Sequence, residues 1–156
     1  MGYSVKIPMK AHLARFLHFR LQIGENQPFH LSQKCPIMAH LILLFTTKTK
    51  CTFDGLSNGG DESWDAVIRV QLTSKNQKYG EIFLDNQRIR RWNQYVHYKL
   101  HEYLDTRISM YQLHGIDIKD AIWDFIHEAD MEDLITFDAL KKSNYRLRRA
   151  RVSLQK

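Results

Sequence analysis

The spacing of apolar residues predicts a strand followed by a helix at the start of the chain. Residues 3–7 are short and β-prone, and Pro8 is expected to end this strand and to disfavour helix in the residue before it. Apolar residues then recur at three- and four-residue spacing, which predicts a helix over about 10–21 that ends before the turn-rich segment 24–28. The apolar positions of this helix are Leu13, Phe16, Leu17 and Leu21.

The pattern then indicates a second strand and a second helix. Residues 29–31 form a short β-prone run, and Ser32 is a suitable N-cap for a helix with Pro36 in its first turn. The apolar run 37–45 behind Pro36 predicts that this helix is largely buried. Segment 54–62 combines three glycines with Asn and Asp, which predicts a loop.

The clearest strand is predicted over residues 65–73. Ile68, Val70 and Leu72 occupy alternate positions, with polar residues between them. A period of two gives a strand one apolar face and one polar face. We therefore expect one face of this strand to lie in a core.

The second half of the chain is predicted to be helical. A long helix over about 86–113, capped by Asp85, is expected to end at Gly115 as its C′ residue. Its apolar face is formed by Ile89, Trp92, Val96, Leu100, Tyr103, Leu104, Ile108 and Tyr111. An amphipathic helix follows over 118–129, with apolar Ile118, Ala121, Ile122, Phe125 and Ile126 opposite acidic Asp117, Asp120, Asp124 and Glu128.

A last helix is predicted to begin near Thr136, its N-cap, after a short break at 130–133. The predicted fold class is therefore α+β, with short strands and two helices in the N-terminal half, a long helix, and a C-terminal helical pair. We expect a core over residues 1–115 and a helical pair over 116–156.

The positive charge is concentrated at the end of the chain. The net charge is +6, and seven of the 23 Lys and Arg residues lie in 141–156, where there is no Asp or Glu. Residues 1–140 therefore hold 16 basic residues against 17 acidic ones, a net charge of about −1. A field concentrated on one surface attracts a polyanion better than a diffuse one.

The basic segment lies on the second of two helices joined by a short connection, which is the core of a helix-turn-helix. The predicted nucleic-acid contacts are Lys141, Lys142, Asn144, Tyr145, Arg146, Arg148, Arg149 and Arg151, with Leu140 and Leu147 facing inward. Cations would contact phosphates, and Arg forks or an amide would contact base edges. The predicted partner is nucleic acid, foremost duplex DNA, and the predicted role is non-enzymatic.

Other interpretations of this segment stay open. Basic residues also favour the C-terminal end of a helix because of its dipole, so a merely solvated helix fits, as does a flexible or RNA-binding arm. The acidic face of 117–128 could instead pair with the basic helix, or both could dock on a protein partner or a second copy of the chain. A further basic cluster, Arg88, Arg90 and Arg91, could contact phosphates or pair with Asp61, Glu62 or Asp65.

The sequence favours no cofactor, metal, membrane or catalytic function. None of the four N-terminal histidines (12, 18, 30 and 40) is paired at His-x₃-His spacing, and the two cysteines stand sixteen positions apart, which disfavours zinc. There is no phosphate-binding loop, nucleophile elbow or HExxH motif. The apolar runs are too short to span a bilayer, and the cysteine usage predicts a cytoplasmic protein.

Two phrases of the sequence carry a resemblance. Residues 117–128 are Asp-Ile-Lys-Asp-Ala-Ile-Trp-Asp-Phe-Ile-His-Glu, and residues 135–149 are Ile-Thr-Phe-Asp-Ala-Leu-Lys-Lys-Ser-Asn-Tyr-Arg-Leu-Arg-Arg. Together with the opening segment 5–8 and the aromatic segment 91–95, they resemble small uncharacterised proteins of Bacteroidales genomes and their mobile elements. The resemblance implies a setting in which small DNA-binding regulators are common, and it implies no particular activity.

Overall fold

The computed structural model describes residues 3–46, 64–72 and 86–154. The fold is α+β, as the sequence predicts. The elements are β1 (Tyr3–Met9), α1 (Ala11–Leu21), β2 (Phe29–His30), α2 (Pro36–Thr46), β3 (Ala66–Leu72), α3 (Asn86–Leu113), α4 (Ile118–Glu128) and α5 (Phe137–Leu154). The predicted loop at 54–62 and the predicted cap at Asp85 lie outside the described residues.

The described strands form one sheet in the order β1-β3-β2. β1 runs antiparallel to β3, with Val5 opposite Val70, and β2 runs parallel to β3. Ile68, Val70 and Leu72 are buried, whereas Arg69 is exposed, Gln71 is half-buried, and Val67, which precedes Ile68, is 55% exposed. The alternation that predicted this strand is therefore confirmed, and its apolar face lies in a core.

β1 continues through Pro8 to Met9, two residues further than predicted. β1 lies at the edge of the described sheet, where proline is tolerated because only one side of the backbone has to pair. Asn93, which is buried, holds this end of the strand. Its Nδ2 donates to the carbonyl of Pro8 over 3.2 Å, and its Oδ1 accepts from the amide of Lys10 over 3.1 Å.

α2 begins at Pro36, and the prediction that Ser32 caps it is wrong. Ser32 Oγ accepts from the amide of Lys34 over 3.2 Å, so it caps the preceding turn instead. α2 is also less buried than predicted, because Leu43 is 62% exposed. Its buried face consists of Ile37, Met38 and Leu41.

The described residues form two compact units whose boundary differs from the predicted one at 115/116. One unit contains β1, β2, α2, β3 and the first turns of α3 up to Asn93. The other contains α1, the rest of α3, α4 and α5. The predicted helical pair therefore belongs to a four-helix unit, because α4 and α5 bury their apolar faces together with α1 and α3.

An aromatic cluster packs α1, α3 and α4 within the helical unit. Phe16 and Phe19 of α1 meet Tyr103 of α3 and Phe125 of α4, with ring centroids 5.7 to 6.4 Å apart. Edge and tilted ring contacts at these distances add to the stabilisation from apolar burial. The predicted apolar face of α4 is confirmed, since Ala121, Ile122, Phe125 and Ile126 are all buried.

The helix ends of this unit follow local sequence signals. Gly115, with φ +72°, donates to the carbonyl of Gln112, and Ile116 donates to that of Tyr111, which completes a Schellman motif and confirms Gly115 as the C′ residue. Thr136 caps α5, its Oγ1 accepting from the amide of Ala139 over 3.2 Å, as predicted. The connection between α4 and α5 covers 129–136, longer than the predicted break and longer than the three or four residues usual in a helix-turn-helix.

Candidate nucleic-acid interface

The inward side of α5 is defined by a stripe at helical spacing. Leu140 is fully buried, Asn144 is 5% exposed, and Leu147 is half-buried. Arg151, four residues beyond Leu147, continues the stripe and is also half-buried. Two polar residues, Asn144 and Arg151, therefore occupy positions on the side of α5 that packs inside the helical unit.

Asp105 of α3 is the acceptor for these inward polar groups. Its side chain is 16% exposed. Its Oδ1 accepts from Asn144 Nδ2 over 2.7 Å and from Arg148 Nε over 2.8 Å. Its Oδ2 accepts from Arg151 Nη1 over 2.9 Å. One carboxylate thus receives three donors from three successive turns of α5, and it fixes the rotation of that helix against α3.

This arrangement corrects part of the predicted contact set. Asn144 is buried and bonded to Asp105, so its amide is not available to a base edge. Arg148 and Arg151 are ion-paired, with side chains 37% exposed, and the guanidinium of Arg151 also lies 5.2 Å from the ring of Tyr98. The physical reason is that a carboxylate inside the unit attracts the nearest donors more strongly than solvent does.

The outward side of α5 carries the remaining predicted residues. Lys141, Lys142, Arg146 and Arg149 are exposed, and Tyr145 between them is 63% exposed. In the part of the chain that the structure describes, none of these four cations has a carboxylate within ion-pair distance. The one acidic residue of α5 is Asp138, in its first turn, where it favours the helix dipole.

Two acidic residues of α4, Asp124 and Glu128, contact α3 and not α5. Arg107 binds Glu128 through two nitrogens, at 2.8 and 2.5 Å, and also donates to the hydroxyl of Tyr111. That hydroxyl donates to Asp124 Oδ2 over 3.0 Å. The hydrogen bonds from Arg107 lower the pKa of Glu128, and the hydrogen bonds to Glu128 raise the pKa of Arg107. Two of the four predicted acidic residues are thus engaged by α3, which leaves the outward cations of α5 uncovered by them.

An aromatic shelf lies where α4 meets the start of α5. The ring of Trp123, which is 39% exposed, stacks on that of Phe137 with centroids 5.1 Å apart and planes at 12°. The ammonium of Lys141 lies 5.8 Å from the centre of the Phe137 ring. The cationic side of α5 is therefore bordered at its N-terminal end by exposed aromatic surface.

Two histidines of α3, His97 and His101, contact α5, and they were not identified as a pair from the sequence. His97 and His101 of α3 both place Nε2 near Ser143 Oγ, at 3.2 and 3.0 Å. His101 is 1% exposed, and burial, with the nearby His97, lowers its pKa to about 4. The His-x₃-His spacing on α3 was the signal that could have revealed it, because residues four apart share a helix face.

The predicted second basic cluster does not form one exposed patch. Arg88 is 8% exposed, Arg90 is half-buried, and only Arg91 is exposed. Arg88 lies one turn before buried Trp92 and therefore shares the inner side of α3. The proposed partners Asp61 and Glu62 lie outside the described residues.

Other kinds of site are not formed by the residues described. No three His, Cys, Asp or Glu side chains in 3–46, 64–72 and 86–154 come together as metal ligands. None of the described helices is both long and apolar enough to cross a membrane. A cavity of about 340 Å³ lies on α3, and its main polar groups, Arg107 and Tyr111, are already bonded within α3 and to α4.

Comparisons with protein-family models, curated proteins and solved structures find no match to this chain.

Proposed function

We propose that this protein binds nucleic acid through the outward face of α5. The observation that carries the proposal is the set of exposed cations Lys142, Arg146 and Arg149, with Lys141 beside them. Among the described residues they have no carboxylate partner. The segment 141–156 also holds the whole excess of positive charge in the chain. A surface of this kind gains free energy mainly by releasing counterions from a polyanion.

Helix geometry supports simultaneous contacts by these residues. Residues three and four apart on a helix are neighbours, so Lys142, Arg146 and Arg149 form one continuous row. At 1.5 Å per residue, the row from Lys142 to Arg149 is about 10 Å long, which matches a few successive phosphates of one strand. The bonds from Asn144, Arg148 and Arg151 to Asp105 support this proposal, because they fix the opposite side of α5 against α3.

The predicted duplex DNA is the first ligand to test, because α5 is the second helix of a pair. Arg146 and Arg149 keep the fork geometry that binds guanine edges or phosphates. The proposed biological role is that of a non-enzymatic regulator or accessory protein of a mobile element, as the resemblance to Bacteroidales proteins implies.

The test is the salt dependence of binding to a fluorescein-labelled duplex, followed by anisotropy from about 50 to about 200 mM salt. Substitution of Lys142, Arg146 and Arg149 by Ala should weaken binding and reduce the slope of log K against log salt by up to about 2.7, near 0.9 for each lost phosphate contact. A matched control variant removes three exposed lysines elsewhere: Lys6, Lys34 and Lys119.

Both variants lose the same formal charge, so a general effect of net charge would weaken them equally. Equal weakening, or no retention of nucleic acid by the wild-type protein at about 50 mM salt, would contradict the proposal. Circular dichroism of each variant establishes that the helices are intact.

A second candidate is self-association, which the exposed apolar end of α3 favours. Met110 is 57% exposed, Leu113 is 85% exposed, and Ile116 is 42% exposed. Adjacent exposed apolar side chains of this kind are typical of a contact surface. If the surface joins two copies, sedimentation should give a dimer for the wild-type chain and a monomer for a variant with Met110→Ser and Leu113→Ser. A wild-type monomer at all concentrations would exclude this candidate.

A further inference from the structure

Tyr145 occupies the centre of the outward face of α5. It lies one turn after Lys141 and one turn before Arg149, with Lys142 and Arg146 beside it. Its side chain is 63% exposed, and within the described residues its ring makes no aromatic contact and its hydroxyl no hydrogen bond. The face therefore presents a free aromatic ring surrounded on all sides by cations.

The groups of α5 that could have contacted adenine are turned away from this face. A side-chain amide is the usual reader of adenine in the major groove, and the amide of Asn144 is bonded to Asp105. Arg148 is held by the same carboxylate. Arg146 and Arg149 could still contact guanine edges, but no side-chain amide remains for adenine. The four positive charges and the aromatic ring together suit backbone phosphates and base faces.

An aromatic ring between cations can stack on a base only when that base is unpaired. In a duplex the base faces are covered by neighbouring pairs, whereas in a single strand they are open, and proteins that bind single strands combine a cationic track with aromatic platforms. The shelf of Trp123 and Phe137 adds a second exposed aromatic surface next to Lys141, about 12 Å from Tyr145 along the helix axis at 1.5 Å per residue.

We infer that the ligand of this face is single-stranded or locally unpaired nucleic acid, with Tyr145 stacking on a base while the cations around it contact the phosphates. This inference rests on the proposed nucleic-acid binding and narrows it. It replaces the duplex that the sequence predicts by a ligand whose base faces are open.

The experiment compares labelled oligothymidylate of about 15 nucleotides with a duplex of the same length, by anisotropy at about 50 mM salt, using the full chain. We expect the single strand to bind at least about tenfold more tightly than the duplex. Tyr145→Ala should weaken single-strand binding by about 5- to 150-fold, the range measured for loss of one stacked base. Tyr145→Phe keeps the ring and should stay within about twofold.

The slope of log K against log salt distinguishes base stacking by Tyr145 from phosphate contacts by the cations. Tyr145→Ala should leave the slope for the single strand unchanged, whereas the Lys142, Arg146 and Arg149 variant should reduce it by about 0.7 for each lost contact. Oligouridylate of the same length tests RNA, and binding to it that also depends on the Tyr145 ring supports the inference equally.

Three results would contradict the inference that this face binds unpaired nucleic acid. Tighter binding of the duplex than of the single strand overturns the inference and leaves nucleic-acid binding intact. Unchanged affinity of the Tyr145→Ala variant for the single strand also overturns the inference and leaves nucleic-acid binding intact. Absence of binding to both ligands removes the proposed function itself.

Discussion

Removal of the Asp105 carboxylate is expected to destabilise the docking of α5 on α3. Asp105→Ala leaves the buried amide of Asn144 without an acceptor, which costs about 1–3 kcal/mol. It also releases Arg148 and Arg151, whose side chains are 37% exposed, so each pair contributes only about 0.5 kcal/mol after solvent screening. The expected loss in free energy of unfolding is therefore about 2–4 kcal/mol.

Urea unfolding followed by far-UV circular dichroism measures this loss. With an m-value of about 2 kcal/mol/M, the midpoint should fall by about 1–2 M. Asp133→Ala is the matched control, because Asp133 is exposed in the connection before α5 and has no hydrogen bond or ion pair among the described residues. A double-mutant cycle with Asn144→Ala should give a coupling above about 1 kcal/mol. A midpoint shift no larger than that of the control would refute the assigned role of Asp105.

Three further predictions concern the same helical unit. Because burial lowers the pKa of His101 to about 4, the unfolded chain binds a proton that the folded protein does not between about pH 6.5 and 4. The free energy of unfolding should thus fall by up to about 3 kcal/mol as pH drops through that window, and His101→Gln, but not a variant of exposed His114, should flatten this fall in urea titrations. Arg107→Lys should lower the free energy of unfolding in urea by about 0.5–1 kcal/mol, because lysine cannot make the two-nitrogen contact to the half-exposed Glu128. An unchanged midpoint would contradict this. Gly115→Ala should lower the thermal midpoint by the equivalent of about 1 kcal/mol, because alanine is strained at a φ of +72°. A Cβ at this position would meet no other atom within 4 Å, so the cost comes from the backbone conformation. An unchanged midpoint would contradict this prediction.

Most of the elements could be predicted from the sequence because their signals are local. The alternation in β3, the apolar stripes of α1, α3 and α4, and the turn chemistry of Gly115 depend on residues within a few positions of each other. The errors in β1 and at Ser32 arose at proline and capping positions. β1 continues through Pro8 because it lies at the edge of the described sheet, where a proline needs no hydrogen bond on its outer side. Ser32 accepts a hydrogen bond from Lys34 in the turn before α2, and the sequence pattern indicates neither arrangement.

The sequence predicted that the candidate site lies on the basic helix α5, but it did not predict which residues of α5 are exposed there. The stripe of Leu140 and Leu147 already placed Asn144 on the inward side of α5, so helical spacing could have excluded that residue. The role of Asp105 had no local signal, because it lies 39 positions before Asn144 and occupies an ordinary polar position of a long helix.

The sequence by itself determined that a row of cations lies on the last helix, which Thr136 caps. Charge and helical spacing are properties of residues close together in the chain, so they can be read from the sequence. Only the tertiary structure decided which of these cations remain exposed. Asp105 binds Arg148 and Arg151, and Arg107 and Tyr111 bind carboxylates of α4. The row of cations around Tyr145 stays exposed. Ion pairing depends on distances of a few ångströms between residues far apart in the chain, and folding alone brings those residues together.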